Sequence, residues 1–192
     1  MSHCADCLLR RDLCICQQAP RLQSSLSLLL LTHPAEPGKI SNTGKLLLRA
    51  LPGCRRLLWQ RQLAAEQLQV ATRDQRACLL YPAAGEEGST PGVAWSSTDH
   101  SCFVLLDGTW QQAAKMLRQC GWLQQLPRLA LAPPPSQFSL RRNQQAGSVS
   151  TVETAIELLR QRGDTADARA LHNYFAAFQR ACEAHRSSHS KL

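Results

Sequence analysis

Short, continuously apolar runs alternate along the chain with stretches in which apolar residues recur every three or four positions. The runs are "SLSLLLL" at 25–31, "RRLLW" at 55–59, "ACLLYP" at 77–82, "CFVLLD" at 102–107 and "RLALA" at 128–132. Each has the length of a strand and ends in polar, Gly or Pro residues. Between them, "GKLLLRAL" at 44–51 and "GTWQQAAKMLRQ" at 108–119 read as helices. A strand buried on both faces is apolar throughout rather than alternating, and this pattern belongs to parallel sheets covered by helices. The predicted fold class is α/β, a mainly parallel sheet flanked by helices.

The carboxy-terminal part reads as helical. "STVETAIELLRQRG" at 150–163 places Ser150 three residues before Glu153, a capping-box pattern, and ends on Gly163, the residue a helix C-terminus favours. Ala168, Leu171, Phe175, Phe178 and Cys182 then recur on one helical face, a core stripe with His172 beside it. "EEGSTPGVAWSS" at 86–97 and "APPPSQFSLRRNQQAGS" at 132–148 read as loops, and the chain has no internal repeat.

A length of 192 residues suits one main domain. We divide it into a cysteine segment, 1–20, and a main domain, 21–192. Lys and Arg number 22 against 14 Asp and Glu, a formal charge of +8. That excess fits a polyanionic partner but specifies no reaction. The longest apolar run, "LLLL" at 28–31, is far from the roughly 20 residues of a membrane span, so no membrane association is expected. The opening "MSHCADC" lacks the basic and then apolar character of a secretory signal, which points to the cytoplasm.

In a reducing compartment, clustered thiols point to metal more than to disulfides. Four of the nine cysteines, Cys4, Cys7, Cys14 and Cys16, lie in two close pairs and can close tetrahedrally around one structural Zn²⁺. The alternative is an unstructured cysteine-rich tail, with His3 as a substitute ligand. Cys54, Cys78, Cys102, Cys120 and Cys182 stand among apolar neighbours and read as small hydrophobes.

"GKISNTGKL" at 38–46 invites comparison with a phosphate-binding loop, but five residues separate Gly38 from Gly44-Lys45 where that motif has four, and Leu46 replaces its metal-binding hydroxyl. Ser41, Asn42 and Thr43 are left either to cap the following helix or to hold a ligand. Six histidines, three of them (His3, His185 and His189) near a terminus, form no legible triad with serine or cysteine, so a hydrolase is not indicated. Asp107 directly follows "CFVLL". Ligands of open α/β sheets bind beyond the carboxyl ends of strands, where a carboxylate is useful; the competing reading is that Asp107 merely caps the next helix. Trp110 can pack in the core or contact a flat ligand.

Taken together, "DGTWQQAAKML" at 107–117, the four amino-terminal cysteines, "ISNTGKLL" at 40–47, "LLYP" at 79–82, "FSLRR" at 138–142 and "STVETAIELL" at 150–159 resemble the DTW-domain family in content and order. The resemblance implies a tRNA-uridine aminocarboxypropyltransferase. Such an enzyme moves the 3-amino-3-carboxypropyl group of S-adenosylmethionine to N3 of a tRNA uridine, the variable-loop uridine numbered 47 in bacterial tRNA, and releases 5′-methylthioadenosine. It also implies a SPOUT-like fold with a carboxy-terminal trefoil knot.

For the site, the resemblance implies Asp107 as general base. It places Leu80, Tyr81, Pro82, Leu106, Gly108, Thr109, Trp110, Ser150 and Thr151 around S-adenosylmethionine. Glu153 either contacts the cofactor's amino group or completes the capping box. Ser41, Asn42, Thr43, Lys45, Arg141 and Arg142 are the expected RNA contacts, arginine being suited to oxyanions. No obligate protein partner and a monomer are expected. Two other readings fit parts of the sequence. An RNA methyltransferase would release S-adenosylhomocysteine instead, and a non-enzymatic zinc-containing RNA-binding module would bind no cofactor.

Overall fold

The computed structural model describes residues 2–61, 65–72, 76–81, 102–131, 134–136, 138 and 149–189. The chain forms two compact units, Ser25–Glu36 with Gly53–Ala132 and Met1–Ser24 with Pro37–Pro52 and Pro133–Leu192. The loop expected at 86–97 and most of that at 132–148 lie outside the described residues, as do Pro82, Arg141 and Arg142.

The first unit holds the sheet. Its strands are β1 (Leu28–Thr32), β2 (Cys54–Leu58), β3 (Ala77–Leu80), β4 (Cys102–Asp107) and β5 (Arg128–Leu129). They lie in the order β2-β1-β4-β3-β5, and every pairing is parallel. Three helices belong to this unit: α2 (Ala65–Thr72), α3 (Trp110–Gln119) and α4 (Gly121–Gln125). One sheet face carries Leu29, Leu31, Leu79, Val104 and Leu106, which pack with Leu68 of α2, Ala113, Met116 and Leu117 of α3 and Leu123 of α4. The alternate residues Leu28, Leu30, Phe103 and Leu105 are buried as well, so β1 and β4 are apolar throughout for the reason the sequence pattern implied.

The structure departs from the sequence reading in the bounds of its elements and in two added helices. β1 begins at Leu28 rather than 25, because its partners begin at Cys54 and Phe103 in register. β5 has two residues rather than five, since it pairs only with Leu79 and Leu80 at the end of β3. Helices α2 and α4 were not anticipated; both are short, and among their described apolar side chains only Leu68 and Leu123 are fully buried, which establishes no period. At the turn into β2, a Cβ on Gly53 would stand 2.2 Å from the Leu26 carbonyl oxygen, so only glycine fits.

The second unit contains α1 (Gly44–Ala50), α5 (Thr151–Gln161), α6 (Thr165–His189) and the cysteine segment with its two single-turn 3₁₀ helices, Arg11–Leu13 and Cys16–Gln18. Helix α5 starts with the expected capping box, Ser150 Oγ accepting from the Glu153 N–H and the Glu153 carboxylate accepting from the Ser150 N–H. It stops where Gly163 adopts φ 84°. There the Asp164 N–H donates to the Leu159 carbonyl and the Gly163 N–H to that of Arg160, a Schellman closure. The stripe Ala168, Leu171, Phe175, Phe178 and Cys182 is buried along α6.

Candidate active site and metal-binding cluster

In the sheet unit, Asp107 closes β4 in register with Thr32 of β1. Both side chains are essentially inaccessible, at 1% and 0% exposure. The Thr32 hydroxyl donates to Asp107 Oδ2 at 3.1 Å. Asp107 is not the cap of α3: Thr109 is, its hydroxyl accepting from the Gln112 N–H while Gln112 Oε1 accepts from the Thr109 N–H at 2.7 Å. The capping explanation for Asp107 is thereby removed, and what stands at the strand end is a buried carboxylate with a dedicated hydroxyl donor. Gly108 has a steric role beside it, since a Cβ there would come within 3.1 Å of the Gln112 side chain that completes the cap.

Leu80 is buried at the end of β3, and Leu106 is nearly so, one residue before the carboxylate. Tyr81 continues β3 by donating its N–H to the Leu129 carbonyl. Its ring stacks on Trp110, the first residue of α3, with centroids 5.4 Å apart and an interplanar angle of 26°. Both rings are half-buried. The sheet unit thus brings Leu80, Tyr81, Leu106, Asp107, Gly108, Thr109 and Trp110 to the carboxyl ends of neighbouring strands β3 and β4, the edge at which open α/β sheets bind ligands.

Sequence reasoning passed over two residues at the same edge. His33 follows β1 and donates its N–H to the Asp107 carbonyl, while Trp59 follows β2 and donates to the Thr32 carbonyl. Their rings stack at 5.8 Å and 18°. Neither lies in a motif, and only the strand register could have joined them to Asp107.

In the second unit, Ser150 and Thr151 are buried at the start of α5. Glu153 accepts from both the Ser150 N–H and the Ser136 hydroxyl, which bears out its capping-box reading. Thr43 precedes α1 without capping it; its hydroxyl accepts instead from the Val152 N–H of α5 at 3.4 Å. Asn42 is buried and Ser41 half-buried. Lys45 directs its ammonium to the carbonyls of Cys7, Lys39 and Ile40 at 3.2, 2.8 and 3.1 Å. It therefore ties the 38–46 loop to the cysteine segment, and an RNA contact would require it to leave those carbonyls.

The thiols of Cys4, Cys7, Cys14 and Cys16 lie within 4.8 Å of one another. Cys4 and Cys16 are 3.8 Å apart, and Cys7 and Cys14 are 3.7 Å apart. Four thiolates bound tetrahedrally at about 2.3 Å stand about 3.8 Å from one another, so the set fits a closed Zn²⁺ site. The N–H groups of Cys7 and Asp6 draw the Cys4 thiol down to about 6, while burial pushes Cys7 and Cys16 up. Thiols this close ionise together only with a cation among them. Leu8, at φ 66°, turns the backbone after Cys7, and the Cys4 N–H and carbonyl pair with Leu9 and Leu8.

Charge is divided unequally. The second unit's residues carry fourteen Lys and Arg against seven Asp and Glu, and the sheet unit's carry eight against seven. Nearly all of the net positive charge belongs to the unit with the cysteine cluster and α6, where Arg11, Arg21, Arg169 and Arg180 are exposed. Among the described residues, no helix is long and apolar enough to cross a membrane.

An open parallel sheet with a buried carboxylate at a strand end, in one chain with a four-thiol cluster that could hold a metal ion, defines the class: an α/β protein with a cysteine segment of metal-ligand spacing. Residues 1–183 match the DTW domain, and the chain belongs to the DTW-domain family. It is similar to the tRNA-uridine aminocarboxypropyltransferase 2 of Mus musculus, 29% identical over 160 residues, which cover 79% of this chain and 53% of that protein. It is likewise similar to proteins of that name from Macaca fascicularis, 26% identical with 79% and 53% covered, and Drosophila melanogaster, 27% identical with 81% and 64% covered. The chain thus spans between about half and two thirds of the length of these curated relatives. No solved structure matches it.

Proposed function

We propose that this protein is a tRNA-uridine aminocarboxypropyltransferase that uses S-adenosylmethionine as donor, N3 of uridine 47 as acceptor, and releases 5′-methylthioadenosine. Membership of the family and the names of the relatives support the class of reaction. The observation that carries the chemistry is Asp107, a carboxylate at a strand end, buried and held by Thr32 while Thr109 does the capping.

Neutral uridine N3 bears a proton and is a poor nucleophile. In our reading Asp107 takes that proton as general base. The N3 electron pair forms the new bond to the methylene carbon attached to sulfur, and the carbon–sulfur bond breaks with its pair returning to the sulfonium. S-adenosylmethionine supplies the activated carbon; the chain supplies alignment, on which much of the rate of such a displacement depends. Leu80, Tyr81, Pro82, Leu106, Gly108, Thr109 and Trp110 are the proposed cofactor contacts at the sheet edge, with the Tyr81–Trp110 stack suited to a flat ring. Ser150 and Thr151 keep the cofactor role that the family resemblance implies, and their substitution tests it separately; Glu153 completes the capping box.

The ion of the cysteine cluster is proposed to be a structural Zn²⁺ that cross-links the first sixteen residues. Ser41, Asn42, Arg141 and Arg142 are the proposed RNA contacts, with Thr43 and Lys45 holding the loop that carries Ser41 and Asn42. The reading extends to a SPOUT-like fold with a carboxy-terminal knot, a cytoplasmic location and a monomer. The parallel order with β3 between β4 and β5 supports the fold assignment, and nine free thiols are consistent with a reducing compartment.

The test is mass spectrometry of unmodified tRNA incubated with the protein and S-adenosylmethionine, following nucleosides and spent cofactor together. A uridine heavier by one aminocarboxypropyl group, with stoichiometric methylthioadenosine, is expected. Methylated nucleoside with S-adenosylhomocysteine would replace the reaction, and unmodified tRNA with no cofactor consumed would remove it.

A further inference from the structure

The carboxyl edge of the sheet holds a second group equipped to act on a ligand. His33 is half-buried one residue beyond β1. Its Nδ1 accepts a hydrogen bond from the Ala35 N–H at 3.2 Å, within a turn closed by the Glu36 N–H on the His33 carbonyl. A backbone N–H can only donate, so the neutral ring held in this way carries its own proton on Nε2. Ring orientation is fixed from below by the stack on Trp59. Among the described residues, Nε2–H has no partner.

A second observation points the same way. Trp59 is 7% exposed, and its indole N–H is buried with no hydrogen-bond partner among the described residues. Buried donors in folded proteins are nearly always satisfied. The buried Trp59 N–H is thus a donor left over beside the His33 ring at the ligand-binding edge of an α/β sheet, where an acceptor oxygen of a bound molecule would complete it. In the register, Trp59, His33 and Gly108 stand one step beyond Leu58, Thr32 and Asp107. Strand alternation puts His33 and Asp107 on opposite faces at the strand tips.

We propose that His33 is a catalytic residue acting as a fixed hydrogen-bond donor, its Nε2–H aimed at a carbonyl or carboxylate oxygen of the bound reactants. This rests on the transferase reading. When N3 of uracil gives up its proton to Asp107, the negative charge spreads onto the ring's carbonyl oxygens, and a preorganised N–H at such an oxygen stabilises that charge. The aminocarboxypropyl carboxylate offers the same chemistry from the donor side. No proton is transferred to or from His33 in either case.

The test uses the full-length protein. ¹⁵N NMR of the histidine rings should show Nε2 protonated and Nδ1 bare in His33 before any substrate is added; a proton on Nδ1 would overturn the proposal. Single-turnover transfer should fall about 10²-fold in His33→Ala, the scale of losing one oxyanion donor, while His33→Gln, which keeps an N–H donor, should recover to within about tenfold of wild type. If calorimetry shows S-adenosylmethionine binding weakened in step with His33→Ala, the oxygen is the cofactor carboxylate. With cofactor binding intact and the loss confined to transfer, it is a uracil oxygen. His33→Gln as inactive as His33→Ala would mark a proton acceptor and sink the donor role, as would His33→Ala at wild-type rate. Failure of the wild-type protein to form any aminocarboxypropyl product would refute the transferase reading instead, whatever the tautomer.

Discussion

Replacing Asp107 by asparagine separates chemistry from architecture. The amide has nearly the shape of the carboxylate, and its Oδ1 can still accept from the Thr32 hydroxyl, which lies 3.1 Å from Asp107 Oδ2. Folding should therefore survive. What disappears is a base for the N3 proton, worth about 10²–10⁴ in rate, or about 3–5 kcal/mol of transition-state stabilisation. Single-turnover transfer with excess enzyme and saturating S-adenosylmethionine measures that step directly, and cofactor affinity should hardly move. The companion variant, Thr32→Val, removes the donor without changing its bulk. It leaves a buried carboxylate short of a charge-assisted hydrogen bond, a cost of about 1.5–3 kcal/mol, or roughly 3–12 °C in Tm for a domain of this size. In the Asp107→Asn background the same change should cost clearly less, because the charge it served is gone. An unaltered transfer rate in Asp107→Asn refutes the base, and equal costs of Thr32→Val in both backgrounds refute the pairing.

Elemental analysis should find about one Zn²⁺ per chain, and Lys45→Met should loosen the metal about 10–100-fold, the usual effect of removing a group that supports a ligand; the Lys45 ammonium reaches the Cys7 carbonyl, and an unchanged chelator competition would count against that link. Burial pushes the thiols of Cys54 and Cys182 up to about 12 and Cys78 to about 11, from 9.0 when unfolded. Their folded values are raised, so their contribution to stability is complete below pH 9.0 and is lost as pH climbs toward 11 and 12; urea midpoints that stay level across that window would contradict it. Gly53→Ala should destabilise by about 3 kcal/mol or more, since the added Cβ meets the Leu26 carbonyl oxygen at 2.2 Å, and a melting temperature equal to wild type would show that the turn yields. Affinity for tRNA should fall as salt rises, and Arg169→Ala with Arg180→Ala on the exposed side of α6 should flatten that slope; an unchanged slope places the RNA elsewhere.

What the sequence made legible was local. The Ser150–Glu153 box, the Gly163 stop and the α6 stripe each depend on residues within a few turns of one another, and all three stand in the structure. A second box, Thr109 with Gln112, has the same spacing and could have been read; noticing it would have released Asp107 from the capping role at once. The apolar runs revealed the parallel sheet because burial on both faces leaves its mark residue by residue. Strand order leaves none: nothing in "ACLLYP" says that β3 lies between β4 and β5.

The candidate site was half legible for the same physical reason. Asp107 could be picked out as a carboxylate at a strand end, but its hydrogen-bond partner could not, since Thr32 lies 75 residues away and is brought opposite it by register. Lys45 was expected to contact RNA, and its bond to the Cys7 carbonyl, 38 residues distant, was not legible in the sequence. His33 resembled any histidine before a proline. Its distinction comes from a turn that occupies Nδ1 and a strand neighbour that stacks Trp59 against it. In each case the residue type states what a group can do, and the partner across the sheet or along the loop decides which of those things it does. A lysine occupied by three carbonyls holds a loop, a carboxylate opposite a threonine hydroxyl is not the helix cap it resembled, and an imidazole fixed through one nitrogen presents the other.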